Sequence, residues 1–182
     1  SLFTDSMTGF VSDPVVCITL SVATILGGLG FPVLMQLRKH LRTPRLWSMN
    51  TRLVLAMSAV LLVGGWAFIT AVEWGNAATL GHLDPATRLL AGFFQSVQTR
   101  TSGFSTVDIG SMQDETLFGM SVLMFIGGGP AGTSGGIKVT TFGVLLFILI
   151  AELRGDTAVN VFGKRLSRSV HREAITVVLL AV

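Results

Sequence analysis

The chain of 182 residues has no tyrosine, one cysteine and little charge, with only 13% of its residues Asp, Glu, Lys or Arg. Each scarcity closes off a class of protein. A soluble domain carries roughly a quarter of its residues as charges, because its surface has to be wetted. A chain this poor in charge, half apolar and with a mean hydropathy of +0.69, cannot cover itself in water, so it reads as a membrane protein. The lone Cys17 excludes an internal disulfide framework and a cysteine metal site, and reads as apolar filler. The 21 glycines follow no fixed period, which excludes a collagenous chain. No carboxylate pair, nucleophile with a neighbouring base, or H-E-x-x-H lies on an apolar run, so no catalytic residues are assigned and the chain reads as a non-enzyme. His40, His82 and His171 lie far apart, none at metal-ligand spacing.

The charge that is present is sorted. Net charge is +3, yet ten of the thirteen Lys/Arg fall in two short segments: Arg38, Lys39, Arg42, Arg45 and Arg52, then Arg154, Lys164, Arg165, Arg168 and Arg172. Long apolar runs flank both, which is the positive-inside pattern of cytoplasmic loops rather than a nucleic-acid face. Asp5, Asp13, Glu73, Asp84, Asp108, Asp114 and Glu115 occupy the alternate segments, so the two signs lie on opposite sides of a bilayer.

The apolar runs give the spans. Val15 to Leu37 is 23 residues without a charge, and about 20 helical residues cross a bilayer core. Asp13-Pro14 opens this span 15–37 with a helix cap and a first-turn proline. A second span over 52–73 returns outward, with Trp66 and Trp74 near its outer end as interfacial anchors. Asp84-Pro85 then starts a helix over 85–98 that reaches only about 21 Å, too short to cross. The polar segment 99–105 follows it, and acids lie beyond, so the chain dips in and returns to the same side.

A broken span over 114–154 comes next. As one helix, the apolar stretch from Glu115 to Glu152 would be about 57 Å long, twice the hydrocarbon thickness. It is interrupted at residues 127–136, where six glycines and Pro130 cannot continue a helix. Irregular backbone at membrane depth is tolerated only where protein buries it or water meets it, so this segment is expected to line a cavity as a mobile plug. Gly127, Gly129 and Gly132 match G-x-G-x-x-G, but no strand precedes them, and nucleotide binding at this site is rejected. Lys138 follows, expected in the cavity or reaching toward the inner side.

Thr101-Ser102-Gly103-Phe104-Ser105 matches the potassium-channel pattern T-V-G-Y-G at Thr101 and Gly103. A filter for a dehydrated cation needs closely spaced carbonyls, and glycine lets the backbone take the required dihedrals. Arg100 is expected to brace this loop through carbonyls behind the filter. There is also a weak internal repeat. Ser1 to Met7 resembles Ser105 to Met112, and glycine clusters follow at Gly27-Gly28-Leu29-Gly30 and at 127–136. The repeat unit is span, short helix, loop and span. On this reading 1–49 ends a second repeat, 50–154 is a complete third, and 155–182 is a cytoplasmic loop with the start of a fourth. The chain is then expected to be a piece of a longer polytopic protein.

These residues resemble the Trk/Ktr/HKT potassium transporters, specifically the membrane subunit of bacterial Ktr/Trk systems. Thr99-Arg100-Thr101-Ser102-Gly103-Phe104 is similar to that family's T-R-T-A-G-F filter, with serine at 102 for the commoner alanine. The segment from Phe125 to Lys138 resembles its mid-membrane gating loop, departing at Pro130-Ala131. Ser1-Leu2-Phe3 and Gly27-Gly28-Leu29-Gly30-Phe31 resemble the stretch after a preceding filter and the helix that follows it. The resemblance implies an all-α polytopic protein of the plasma membrane with four non-identical repeats around one pore. It implies that the backbone carbonyls of Thr101, Ser102, Gly103 and Phe104 coordinate K⁺. Gly127, Gly128, Gly129, Pro130, Ala131, Gly132, Thr133, Ser134, Gly135, Gly136 and Ile137 would gate the path. It implies a homodimer on a cytosolic ring of nucleotide-binding regulatory subunits. No cofactor is implied for this chain beyond K⁺ as the transported ion, and no nucleic acid. A Na⁺-preferring or non-selective relative, or a non-conducting membrane scaffold subunit, stand as the alternatives.

Overall fold

A computed structural model describes residues 4, 6–154, 160–161, 164–165, 174 and 176–177. The reading of Ser1 to Phe3, and most of that of 155–182, lies outside the described residues. The chain is predominantly helical. Among the described residues six helices have defined bounds, in order: α1 (Pro14–Leu29), α2 (Phe31–Lys39), α3 (Met49–Glu73), α4 (Pro85–Thr99), α5 (Asp114–Phe125) and α6 (Val139–Arg154). The all-α expectation needs one small amendment, because Asn160–Val161 pairs antiparallel with Lys164–Arg165. A two-residue ladder needs only local backbone bonds and leaves the helical core unchanged.

The caps follow from short polar side chains. The Asp13 carboxylate accepts from the amides of Val15 and Val16, with Pro14 in the first turn of α1. Ser48 caps α3 through the Thr51 amide. Asp84 caps α4 through the Thr87 amide, and the Thr87 hydroxyl donates to the same carboxylate. Those bonds, the hydroxyl's foremost, hold the Asp84 carboxyl below the usual carboxylate range.

The expected straight span 15–37 is not straight. It breaks at Gly30, and α1 and α2 diverge by 98°. Gly30 has φ +87°, a left-handed conformation open to glycine, and Pro32 opens the next helix where its missing N–H costs nothing. Among the described residues, α3 is the one helix long and apolar enough to cross a membrane unaided, and α1 with α2 qualifies as a bent pair. The stretch after residue 114 is divided into α5 of 12 residues and α6 of 16.

Helix α3 is central, packing against α2, α4, α5 and α6, while α4 also packs on α1. Two apolar clusters sit toward its two ends. One joins Leu53, Val54 and Met57 to Leu29, Val33, Val139 and Val144; the other joins Ile69 to Leu80, Ala91, Val107 and Met120. Beside the second cluster α3 and α4 approach closely, and a Cβ on Gly92 would lie 2.2 Å from the Thr70 hydroxyl. The Ser96 hydroxyl bonds the Leu62 carbonyl at 2.9 Å across the same contact.

Polarity is arranged inside out. Gln95, Ser96, Gln98, Thr99 and Arg100 at the end of α4 are buried, whereas Val15, Val60, Phe118 and Leu153 are strongly exposed. Glu73 is fully buried at the end of α3. One of its oxygens accepts from the Gln113 amide and the Thr116 hydroxyl, the other from Asn76 Nδ2 and the Thr79 hydroxyl. Among the described residues these four bonds satisfy the carboxylate with no cation beside it, and they tie the end of α3 to the start of α5.

Candidate functional site in the two loops after α4 and α5

The chain turns sharply after α4. The amides of Thr101, Ser102 and Gly103 all donate to the Gln98 carbonyl, at 3.2, 3.1 and 2.9 Å. Gly103 stands at φ +70°, and a Cβ there would meet nothing within 4 Å, so glycine is required by dihedral and not by space. Ser102 and Gly103 are exposed, and Thr101 and Phe104 are half-buried. Beyond the turn, the Ser105 amide donates to the Ser6 hydroxyl at 3.0 Å, and the Met7 amide donates to the Ser105 carbonyl at 2.8 Å. The structure thus makes neighbours of two segments that resemble one another in sequence.

Thr24 of α1 is a residue that sequence reasoning passed over. Its hydroxyl lies 3.2 Å from the Ser102 hydroxyl and 3.4 Å from Gln98 Oε1. The available signal was weak, because Thr24 is one of three hydroxyl residues in the apolar run, with Thr19 and Ser21.

The glycine segment between α5 and α6 is a closed loop. The Gly127 amide donates to the Ile137 carbonyl at 2.9 Å, the Ile137 amide to the Phe125 carbonyl at 3.0 Å, and the Val139 amide to the Gly128 carbonyl at 3.0 Å. Gly127 has no room for a side chain, because a Cβ would fall 1.7 Å from the Gly135 carbonyl oxygen. Gly127 to Gly129, Ser134 and Ile137 are buried; Ala131, Thr133, Gly135 and Gly136 are exposed; Pro130 and Gly132 are intermediate. The loop lies against the end of α1. The Gly129 amide donates to the Gly28 carbonyl, the Thr133 amide to the Gly27 carbonyl, and the Phe31 amide to the Ala131 carbonyl. The bend at Gly30 is therefore the seat of this loop.

Turn and loop meet. A recess between them is lined by Thr24, Gly28, Ser58, Arg100, Thr101 and Gly128. Arg100 is buried, and its Nη2 donates to the Gly127 carbonyl at 3.2 Å. The carbonyl it reaches belongs to the loop and not to residues 101–104. Lys138 folds back, its Nζ donating to the Ser134 carbonyl at 2.8 Å. Among the described residues, no three of His, Cys, Asp and Glu stand close enough to hold a metal ion.

The TrkH cation transport protein family matches residues 1–182. The Ktr system potassium uptake protein B of Bacillus subtilis (strain 168) is 37% identical over 177 residues, which is 97% of this chain and 40% of that protein. The protein of the same description from Vibrio alginolyticus is 35% identical over all of this chain and 40% of its own length. The potassium/sodium uptake protein NtpJ of Enterococcus hirae is 31% identical over 96% of this chain and 38% of its own length. The chain thus spans about two fifths of the relatives it matches. The crystal structure of the potassium transporter TrkH from Vibrio parahaemolyticus superposes with a TM-score of 0.74 at 18% identity, covering 99% of this chain and 39% of that one, and so shares its fold. These relatives are transport proteins rather than enzymes, and the chain belongs to the TrkH cation transport protein family.

Proposed function

We propose that the chain is part of a channel-like K⁺ uptake protein of the plasma membrane, crossing the bilayer several times. The observation that carries this reading is the placement of the Thr101–Phe104 turn. It ends a 15-residue helix too short to cross a bilayer, and the glycine loop adjoins it. On this reading α4 is a pore helix, and the carbonyls of Thr101, Ser102, Gly103 and Phe104 replace the hydration shell of K⁺. Residues 127–137 gate the path below, lying on the bend between α1 and α2. The inside-out polarity supports the reading, since apolar side chains face outward and the polar ones cluster behind the turn.

Residues 50–154 then form one complete span, pore helix, filter and broken span. They stand between the end of a preceding repeat in 1–49 and a following one from 155, with one pore built from four such units. The names of the Ktr relatives support K⁺ as cargo and a multi-component system. We extend this to a homodimer resting on a cytosolic ring of nucleotide-binding regulatory subunits, with the basic segment 38–52 on the inner side.

A second reading, a carrier of both K⁺ and Na⁺, is favoured by the potassium/sodium uptake relative. Uptake of radioactive Rb⁺ and Na⁺ into liposomes holding the complete polypeptide decides between them. Saturable Rb⁺ uptake well above Na⁺ uptake supports the first, comparable uptake supports the second, and no uptake of either overturns both.

A further inference from the structure

We propose that Arg100 is a positioning residue that holds the glycine loop seated, acting as a brake between turn and loop. The inference rests on reading that loop as the gate. Arg100 is 8% exposed, and the described residues offer its guanidinium one hydrogen bond, to Gly127, leaving Nε without a partner. The carbonyl it holds sits at the neck of the loop, where the Gly127 amide already bonds Ile137.

The charge gives this bond its direction. A buried guanidinium with a single acceptor cannot surrender it cheaply, because the alternative is an unpaired charge away from water. Withdrawal of the loop therefore has to supply another acceptor or admit water, and the recess beside Thr24, Gly28 and Gly128 is where water would enter. The seated arrangement is favoured until it does.

The turn does not need Arg100. Its three amides are all satisfied by Gln98, and among the described residues no hydrogen bond of 101–103 involves the guanidinium. A change at Arg100 should thus alter flux while leaving ion preference alone. A residue that merely supports the filter, or merely the fold, would not separate the two.

The test uses the complete polypeptide reconstituted without any cytosolic protein. In a background with Cys17→Ala and any other cysteine removed, a Ser134→Cys reporter, buried in the seated loop, reads exposure of the loop to a thiol reagent. Arg100→Gln should raise basal Rb⁺ uptake about fivefold or more and speed labelling at position 134, with the Rb⁺/Na⁺ ratio within twofold of the parent. Arg100→Lys keeps the charge and a donor, and should restore part of the brake. A folded Arg100→Gln protein with parental uptake and labelling overturns the proposal. So does an altered ion ratio with unchanged labelling, which would assign Arg100 to the turn. If neither variant assembles, Arg100 is a folding residue and the proposal fails. Should the parent carry no Rb⁺ at all, the transport reading fails, and labelling alone then decides whether Arg100 seats the loop.

Discussion

The Gly129 amide donates to the Gly28 carbonyl at 2.7 Å, joining two glycine segments that lie far apart in the chain. Gly28 stands in the last turn of α1, where helical carbonyls lack an intrahelical donor. The loop supplies donors from outside, at Gly129 and at Thr133, and the Phe31 amide returns one to Ala131. Loop and bend form one seam, so a change on either side is felt by both.

Gly30→Ala tests that seam. A Cβ at position 30 would lie 2.4 Å from the Pro130 carbonyl oxygen, and φ is +87°. Backbone strain and a clash with backbone together cost roughly 2–3 kcal/mol. The variant should melt several degrees lower in detergent, whereas Gly64→Ala, on α3 with nothing within 4 Å, should melt like the parent. Equal melting of both variants would show that the loop does not depend on the bend.

Gly103→Ser separates dihedral from space. No atom stands in the way of a side chain, so the protein should assemble, but φ +70° is unfavourable for serine by about 1 kcal/mol or more. Relaxation would turn the carbonyls of 102 and 103 away from their present directions. The Rb⁺/Na⁺ uptake ratio should fall severalfold at near-normal expression. An unchanged ratio would remove residues 101–104 from the filter.

Much of this was legible locally. Asp13-Pro14 and Asp84-Pro85 announce helix starts because a carboxylate cap and a first-turn proline act within three residues. The break after Phe125 was legible for the same reason, since glycine and proline at that density cannot hold a helix. The 98° bend was not, although Gly30 and Pro32 were there to be read. One glycine permits many angles, and the angle taken is the one that lets Phe31 reach Ala131. The partner of Arg100 was hidden likewise: burial and charge demanded an acceptor, but only the tertiary fold places Gly127 beside it. Glu73 reads in sequence as an acid at the end of a span; Asn76 and Thr79 are near it in the chain, but its other two donors, Gln113 and Thr116, are brought to it only by the fold.

Glu73→Gln should be among the more damaging isosteric changes in the chain. Both carboxylate oxygens now accept two bonds each, and the amide of glutamine would point donors at groups that are themselves donors. Leaving buried donors unsatisfied costs about 1–3 kcal/mol. The full-length variant should melt lower in detergent, by several degrees, while any protein that assembles keeps its Rb⁺/Na⁺ ratio. A melting temperature within a degree of the parent would show that this cage contributes little.

Shortening the loop tests whether it obstructs the path. Its neck is already closed, because Gly127 bonds Ile137 and Val139 bonds Gly128, so the chain segments leaving α5 and entering α6 are joined without the residues between. Replacing residues 129–135 by a two-residue link should therefore leave both helices in place. It would also remove the donors at Gly129 and Thr133, exposing the ends of Gly27 and Gly28 to whatever fills the space. If the loop blocks conduction, Rb⁺ uptake should rise severalfold, with the ion ratio unchanged because Thr101, Ser102 and Gly103 keep their bonds to Gln98. If the loop is a passive connection, uptake should stay at the parental rate. The measurement is Rb⁺ and Na⁺ uptake by the shortened full-length protein, after its melting curve has shown that it folds. Parental flux from a folded variant would mean that the glycine segment serves the bend at Gly30 and does not gate the pore.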